Sequence, residues 1–318
     1  MIGVVGAGAF GTALAVTLGR EGRHVTLWAR DARHVSAMQR TRQNVLRLPG
    51  VGFPETLIVT TELVDLAGSE TILLAVPMQA TREFLAEHAG FLDGRTLVAC
   101  CKGVDLTTLQ GASALIASAC PNATAALLTG PSFAADMGRG LPTALTLATA
   151  DAGERLQRLL STPTLRLYRS TDVTGAELGG ALKNVIAIAA GVVMGAGLGD
   201  SARAALMTRG YAEMLRFAVQ RGARAETLAG LSGLGDLVLT CTSPQSRNLR
   251  YGIALGCGQG FDAGVTVEGL ATAQAVTRMA AEMRLDMPVS AMVAALVNGR
   301  VPLNDAIRSL MARPLKAE

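Results

Sequence analysis

The sequence contains few aromatic residues and little charge of either sign. Aromatic residues make up only 3% of its 318 residues, and charged residues make up 17%. Proteins that bind single-stranded nucleic acid stack its bases on aromatic side chains, so nucleic acid is not an expected partner. The net charge is +4, without a run of five or six like charges. This weak positive balance indicates small anionic ligands and is too small to indicate DNA or a membrane surface.

Cysteine and histidine are too few and too scattered for a metal centre. The five cysteines have neither CxxC spacing nor nearby histidines, which indicates reduced thiols and predicts no metal site or disulfide framework. No basic segment with a cleavage site precedes the apolar run Ile2–Val5, so we expect a cytoplasmic protein. The longest dense apolar run, residues 185–198, is shorter than the roughly 20 residues of a membrane span. We expect it to form a buried helix of a protein that is not a membrane protein.

The pattern of the chain predicts two domains, since one domain usually takes about 100–200 residues. Up to about residue 171, β-rich runs alternate with helical patterns, which is typical of βαβ units and a parallel sheet. Strands are predicted at Ile2–Val5 and Val25–Trp28 and over residues 71–76, 96–101, 125–128 and 144–148. Helices are predicted over residues 12–21 and 81–88, and a loop over residues 48–54 is expected to interrupt the sheet.

From residue 172 onward the pattern becomes helical. Segments rich in Ala, Leu and Met carry helical spacing, with almost no alternation of period two. The strongest helices are predicted over residues 176–195, 201–220, 266–283 and 289–298. We therefore predict an α/β domain over residues 1–172 and an all-α domain over residues 173–318, with a substrate cleft between them.

A glycine loop follows the first strand and opens the first helix. In GVVGAGAFGTALA, Gly6 suits a tight turn, and the bare backbone at Gly8 lets a pyrophosphate approach. Gly11 allows the helix to pack closely on the strand while its N-terminal N–H groups face the anion. This context predicts a Rossmann-type dinucleotide-binding domain and a nicotinamide-dependent oxidoreductase.

The end of the second strand bears on the choice of dinucleotide. NAD-specific sites usually have an acidic residue here, which binds the ribose hydroxyls. This strand ends Leu27-Trp28-Ala29-Arg30, and Arg30 suits a 2′-phosphate. Asp31 beside it is a competing ribose ligand. NADP(H) is therefore favoured, and use of NAD(H) stays open.

Two lysines are the candidates for proton transfer. All three histidines lie in the predicted cofactor domain, which argues against a His–Asp proton relay. Lys102 and Lys183 are the only lysines before the C-terminal tail, and a lysine can lose its proton when burial and a cationic neighbour lower its pKa. Lys102 follows a strand at the carboxyl edge of the sheet, where ligands bind in such folds. Lys183 lies in a strongly apolar helical segment, which is unusual for a lysine.

A polar cluster in the helical half has the composition of a phosphate site. Residues 233–236 form a glycine turn that ends in Asp236, which could hold a lysine ammonium. Ser246, Arg247 and Asn248 follow, and such donors at a helix start bind phosphate well.

These segments resemble a known family. GAGAFGTALA, CKGVDL, LTGPSFAADMGRGLPTA, GGALKNVIAIAAGVVMGAGLGDSARAALMTRG, GLGDLVLTCTSPQSRN and VEG are similar, in order, to bacterial NAD(P)-dependent glycerol-3-phosphate dehydrogenase. The resemblance implies reversible reduction of dihydroxyacetone phosphate to sn-glycerol 3-phosphate, the backbone precursor of phospholipids. It also implies a homodimer.

The resemblance implies roles for individual residues. Lys183 corresponds to the general acid/base, and Lys102 and Asp236 complete the catalytic group. The implied substrate contacts are Lys102, Gly130, Ser132, Lys183, Asp236, Ser246, Arg247 and Asn248. The implied cofactor contacts are Gly6, Gly8, Ala9, Phe10, Gly11, Arg30, Lys102, Ala134, Arg247, Thr266 and Glu268.

Two alternatives are weighed against this interpretation. β-Hydroxyacid dehydrogenases and ketopantoate reductases share the architecture and a helical lysine, but they favour an asparagine four residues after it. Here that position is Ala187, and Asn184 follows Lys183 directly. A non-catalytic dinucleotide sensor is the other alternative, and the presence of Lys183, Asp236 and the phosphate cluster argues against it.

Overall fold

The N-terminal domain is built on a mixed eight-stranded sheet. In the computed structural model, which describes residues 1–150 and 153–311, ten strands occur. They are β1 (Ile2–Val5), β2 (Val25–Trp28), β3 (Gln43–Asn44), β4 (Leu48–Gly52), β5 (Leu57–Thr60), β6 (Thr71–Leu74), β7 (Thr96–Ala99), β8 (Thr124–Thr129), β9 (Thr143–Thr149) and β10 (Leu165–Ser170). The sheet order is β10-β9-β8-β7-β6-β1-β2-β5, and β3 and β4 form a separate antiparallel hairpin.

Helices alternate with the strands up to β10. After β10, the described chain contains helices joined by loops and no further strand. The first six are α1 (Ala9–Arg20), α2 (Ala32–Thr41), α3 (Met78–Leu92), α4 (Ala112–Ala119), α5 (Ala134–Gly138) and α6 (Gly153–Leu160). The others are α7 (Val173–Gly195), α8 (Gly199–Gln220), α9 (Ala225–Ala229), α10 (Asp236–Thr242), α11 (Arg247–Gly256), α12 (Glu268–Glu282), α13 (Pro288–Val297) and α14 (Leu303–Met311). A π-helical turn, Leu231–Gly235, leads into α10.

The expectation of a parallel sheet is correct for six strands and wrong for two. Strands β5, β2, β1, β6, β7 and β8 pair in parallel. Strand β9 runs antiparallel to β8, and β10 runs parallel to β9. The connection from β8 to β9 contains only the five-residue α5. A parallel partner would need a crossover along the full length of the strand, usually by a longer helix.

All predicted strands and helices are present, with ends shifted by a few residues, but several elements were missed. Strand β10 has alternating burial and carries Arg166 and Arg169 at the sheet edge, so it lacks the apolar run of a central strand. Helix α2 buries only Val35 and Met38, so it contains few apolar residues by which to recognise it. The other missed elements are β3, β4, β5, α4, α5, α6, α9, α10, α11 and α14.

Helices cover both faces of the sheet and explain the continuous apolar strands. All four residues of β1 and of β6 are buried, as expected where a sheet is covered on both sides. One face packs against α1, together with side chains from α2 and α6. The other face packs against α3 and α4.

Helix α7 is the centre of the C-terminal domain. It is long and apolar enough to cross a membrane by composition, but 89% of its most apolar window is buried inside the protein. Its neighbours include α8, α10, α11 and α12, so it is the core helix of this domain. Glycines let α11 approach it closely: a Cβ on Gly191 would lie 2.8 Å from Cα of Gly252, and Gly195 faces Gly256 in the same way.

Candidate active site

The glycine loop has the geometry that a dinucleotide phosphate requires. Gly6 has a φ of +108°, and a Cβ there would lie 2.8 Å from the backbone carbonyl of Ala75. A Cβ on Gly11 would overlap the carbonyl oxygen of Gly6. At Gly8, the N-cap of α1, a Cβ would meet nothing within 4 Å. The loop is therefore an open cradle at the start of a helix, and it fits a bound pyrophosphate. Ala9 and Phe10 form the first turn beside it.

Two residues of opposite charge, Arg30 and Asp31, follow β2. Arg30 is exposed directly after the strand. Asp31 caps α2: its carboxylate accepts hydrogen bonds from the backbone N–H groups of Arg33 at 2.9 Å and His34 at 3.2 Å. The His34 N–H is the main cause that lowers the pKa of Asp31. The Asp31 carboxylate therefore caps α2 through Oδ1, and the exposed Arg30 stands beside it.

Two lysines and one aspartate meet where the two domains join. Lys102 follows β7, Lys183 lies within α7, and Asp236 is the first residue of α10. Nζ of Lys102 lies 2.5 Å from Oδ2 of Asp236, and Nζ of Lys183 lies 3.0 Å from Oδ1. Lys183 and Asp236 are buried, and Lys102 is partly buried. One carboxylate therefore holds two ammonium groups from different domains.

Burial and the neighbouring charges set the protonation of this cluster. Burial lowers the pKa of Lys183 to about 8, and the Lys102 charge acts in the same direction, while Asp236 raises it. Burial raises the pKa of Asp236, but the two lysines outweigh burial, so its pKa is lowered. Lys183 can therefore exchange a proton near neutral pH beside a carboxylate that stays charged.

The segment after β8 faces the same cluster. Gly130 has a φ of +134°, and its carbonyl oxygen accepts a hydrogen bond from Nζ of Lys102 at 3.0 Å. The Ser132 hydroxyl donates to the same oxygen at 3.2 Å. Ala134 begins α5 and packs on the N-terminal core, as Phe10 of the glycine loop does. The segment therefore connects the lysine cluster with the cofactor domain.

The predicted phosphate cluster lies at the start of α11. The Ser246 hydroxyl is buried and caps the helix by accepting from the Leu249 N–H at 3.2 Å. The Asn248 amide donates to Oδ1 of Asn184 at 2.9 Å and accepts from the Gly269 N–H at 3.0 Å. Arg247 is exposed between them. Ser246 and Asn248 are thus held in place, and a free guanidinium stands at the helix start.

Thr266 and Glu268 precede and begin α12. Thr266 is exposed, and Glu268 is half-buried. Oε1 of Glu268 accepts a hydrogen bond from the Met78 N–H at the start of α3, at 3.4 Å. Burial raises the pKa of Glu268, while this hydrogen bond and the Arg247 charge oppose the rise. Glu268 therefore links the start of α12 in the helical domain to the start of α3 in the N-terminal domain.

Two polar residues of the site were given no role of their own from sequence: Thr240, which stands in the polar segment between Asp236 and Ser246, and Asn184. Thr240 accepts a hydrogen bond from Nζ of Lys183 at 2.6 Å, and its hydroxyl lies 3.3 Å from Oδ1 of Asp236. It is four residues after Asp236 in α10, and that spacing on one helix face could have revealed it. Asn184 supports Asn248 across α7 and α11, and no local pattern indicated that contact.

The site suits an organic cofactor and an anionic substrate. Lys102 and Lys183 meet at Asp236, Arg247 stands at the start of α11, and the glycine loop leaves space for a phosphate. Within residues 1–150 and 153–311, no group of three or more His, Cys, Asp or Glu side chains is arranged to hold a metal ion.

Family models match both halves of the chain. Residues 1–154 match the model described as NAD-dependent glycerol-3-phosphate dehydrogenase N-terminus, and residues 172–308 match the corresponding C-terminus. A curated relative from Cereibacter sphaeroides, glycerol-3-phosphate dehydrogenase [NAD(P)+], is 66% identical over 321 residues, which covers 100% of both chains.

Solved structures are also similar to this chain. Glycerol-3-phosphate dehydrogenase from Coxiella burnetii is 37% identical, with a TM-score of 0.93 over 98% of each chain. A ketopantoate reductase from Ralstonia eutropha is 17% identical, with a TM-score of 0.64 over 96% of this chain and 100% of that one. The second similarity reflects the fold alone.

Proposed function

This chain belongs to the NAD-dependent glycerol-3-phosphate dehydrogenase family, and from that premise we propose the part that each site residue takes in the reaction. The protein is an NAD(P)-dependent oxidoreductase that acts on a CH–OH group and interconverts dihydroxyacetone phosphate and sn-glycerol 3-phosphate. The observation that carries the proposal is the buried cluster in which Asp236 holds Lys102 and Lys183.

Lys183 is the general acid/base. When bound, the dinucleotide supplies or accepts the hydride. Lys183 protonates the substrate oxygen during reduction and accepts a proton from the hydroxyl during oxidation. A pKa of about 8 supports this role because both forms are accessible near neutral pH. Asp236 and Thr240 hold Nζ of Lys183 in position through bonds of 3.0 and 2.6 Å.

Cationic and polar groups bind the substrate. Lys102, Gly130 and Ser132 contact the reacting end, since they converge beside the lysine cluster. Ser246, Arg247 and Asn248 receive the phosphate at the start of α11, where the helix dipole and the guanidinium favour an anion. The two lysines leave the cluster with a net positive charge, which suits a phosphorylated substrate.

The dinucleotide would be held along the carboxyl edge of the sheet. The residues that we propose to contact it are Gly6, Gly8, Ala9, Phe10, Gly11, Arg30, Lys102, Ala134, Arg247, Thr266 and Glu268. NADP(H) is favoured over NAD(H), because the Asp31 carboxylate caps α2 and Arg30 stands free beside it. The Cereibacter sphaeroides relative is named for both dinucleotides, as NAD(P)+.

The remaining proposals concern the domain boundary, the oligomeric state and the cellular location of the protein. We divide the chain at residues 172 and 173, because β10 ends at Ser170 and α7 begins at Val173. We propose a homodimer by analogy with the family.

The five cysteines are all free, which suits a reducing compartment and supports a cytoplasmic location. The product would serve phospholipid synthesis there.

The test is turnover by the purified chain. We expect it to oxidise NADPH when given dihydroxyacetone phosphate, and to form NAD(P)H when given sn-glycerol 3-phosphate. Ketopantoate and a 3-oxo acid are the comparison substrates and should give no turnover. Turnover with either of them but not with the triose phosphate would overturn the assignment. Dinucleotide binding without any turnover would indicate a sensor.

A further inference from the structure

Asn44 is a fully buried amide that joins three parts of the cofactor domain. It ends the short strand β3 and has a relative exposure of 0%. Its Nδ2 donates to the carbonyl oxygen of Ala7 at 3.0 Å and to the Thr12 hydroxyl at 2.8 Å. Ala7 belongs to the glycine loop, and Thr12 lies in the first turn of α1. The amide nitrogen therefore holds both ends of the segment that faces the pyrophosphate.

The other side of the same amide reaches the hairpin and α2. Both Nδ2 hydrogens are used, so Oδ1 is the acceptor in its two remaining contacts. These are the Arg47 N–H at 3.1 Å and Nε2 of His34 at 2.9 Å. His34 must therefore donate from Nε2. The neutral ring can do so when its hydrogen is on Nε2, and the protonated ring can also do so. His34 lies in the first turn of α2, close to Arg30 in the chain.

We propose that Asn44 is the positioning residue of the dinucleotide site, tying the glycine loop to the first turn of α2 so that the pyrophosphate and the adenosine ribose meet one rigid frame. This inference rests on the proposed function, in that the glycine loop binds a dinucleotide. Glycine-rich backbone has many accessible conformations, yet the loop must keep its N–H groups aimed at the phosphates. The Asn44 amide limits that freedom through its bonds to Ala7 and Thr12.

The contact to Thr12 supports this role. The Thr12 N–H donates to the carbonyl oxygen of Gly8 at 3.0 Å, which closes the first turn of α1. Thr12 is itself fully buried. Asn44 thus holds the hydroxyl of the residue whose backbone fixes Gly8, the glycine with open space for the phosphate. A looser loop would bind both dinucleotides more weakly and leave intact the lysine cluster around Asp236 and the start of α11, neither of which Asn44 contacts.

The experiment compares Asn44→Ala with Asn122→Ala in the full chain. Asn122 also uses its amide, which donates to Asp93 at 2.7 Å, but on an exposed turn that joins α4 to β8. We expect Asn44→Ala to raise the Kd of NADPH and of NADH about tenfold, which is about 1.4 kcal/mol. The KM for dihydroxyacetone phosphate and kcat at saturating cofactor should stay unchanged. Asn122→Ala should change none of these values.

A second variant keeps the proposal testable if Asn44→Ala does not fold. Thr12→Val preserves the shape of the side chain and removes one acceptor of Asn44, so it should raise both Kd values by a smaller factor. A lowered thermal midpoint with unchanged dinucleotide Kd in the two variants would mean a purely structural role and overturn the proposal. Wild-type protein that binds NADPH without turnover would refute the proposed function alone, whereas absence of any binding would refute both.

Discussion

Nζ of Lys183 lies 3.0 Å from Oδ1 of Asp236, and both side chains are buried. The carboxylate also binds Lys102 through its other oxygen, so the cluster carries two positive charges and one negative charge. Taking charges out of water is costly, and the excess positive charge makes loss of the Lys183 proton easier. The arrangement joins an anion-attracting site to a lysine that can titrate near neutral pH.

The pH dependence of the two directions should be opposite. The pKa of Lys183 is lowered from 10.5 to about 8, so Lys183 is protonated below about pH 8 and neutral above it. We expect kcat for reduction to be constant at lower pH and to fall as pH rises through about 8, because the proton donor is lost. In oxidation, kcat should rise through the same range. Steady-state rates in both directions will measure this.

Asp236→Asn provides the matched variant for the pH profile. The Asp236 charge raises the pKa of Lys183, so its removal should move both midpoints to lower pH. Profiles that are flat in both directions from about pH 6 to about pH 10 would contradict Lys183 as the proton donor.

Replacement of Lys183 should affect the chemical step. We expect Lys183→Met, which keeps most of the side-chain volume, to reduce kcat by about 10²–10⁴-fold, the usual contribution of a general acid or base. NADPH binding should be unchanged, because Lys183 lies in α7 and outside the glycine loop. Single-turnover rates and NADPH titration measure the two effects separately. An unchanged kcat in the folded variant would remove Lys183 from this role.

Arg30 should distinguish the two dinucleotides. We expect Arg30→Ala to raise the Kd of NADPH more than that of NADH, because only NADPH carries the 2′-phosphate that the guanidinium would bind. Arg40→Ala is the control, since Arg40 is exposed in the last turn of α2, the helix that follows Arg30, and should leave both values unchanged. Equal losses for the two cofactors in Arg30→Ala would mean that Arg30 does not recognise the 2′-phosphate.

The close packing of α7 on α11 should tolerate no added side chain. A Cβ on Gly191 would overlap the carbonyl oxygen of Leu249 and lie 2.8 Å from Cα of Gly252. We expect Gly191→Ala to lower the free energy of unfolding by about 1–3 kcal/mol, the usual cost of overpacking a core. Chemical denaturation measures it.

Gly90→Ala is the control for that packing test. Gly90 lies in α3, and a Cβ there would meet nothing within 4 Å. Its free energy of unfolding should stay the same or rise, because alanine is the better helix former. Equal stability of the two variants would show that the helices can separate without cost.

Much of the fold was predictable because local patterns report local structure. The apolar runs at β1 and β6 and the glycine loop between β1 and α1 follow from steric rules that act over a few residues. The reversal of β9 was missed because a strand has the same side-chain alternation in either direction. Strand β10 was missed because an edge strand with exposed arginines lacks a long apolar run.

Local patterns also indicated part of the site. Lys183 is conspicuous in an apolar helix, and the glycine turn with the polar residues after it indicated Asp236 and the Ser246–Asn248 cluster. Asn44 was missed because nothing around it in the sequence marks it as buried, and its partners Ala7 and Thr12 are 37 and 32 residues away.

The sequence by itself determined the class of fold, the pyrophosphate cradle and the two lysines available for proton transfer, because glycine sterics, hydrophobic period and residue choice act locally. Only the tertiary structure decided that Lys102 and Asp236, 134 residues apart, would meet at 2.5 Å. It also decided how far the pKa of Lys183 would fall. Both depend on burial and on distances between remote residues, which arise when helices and sheet pack together and exclude water.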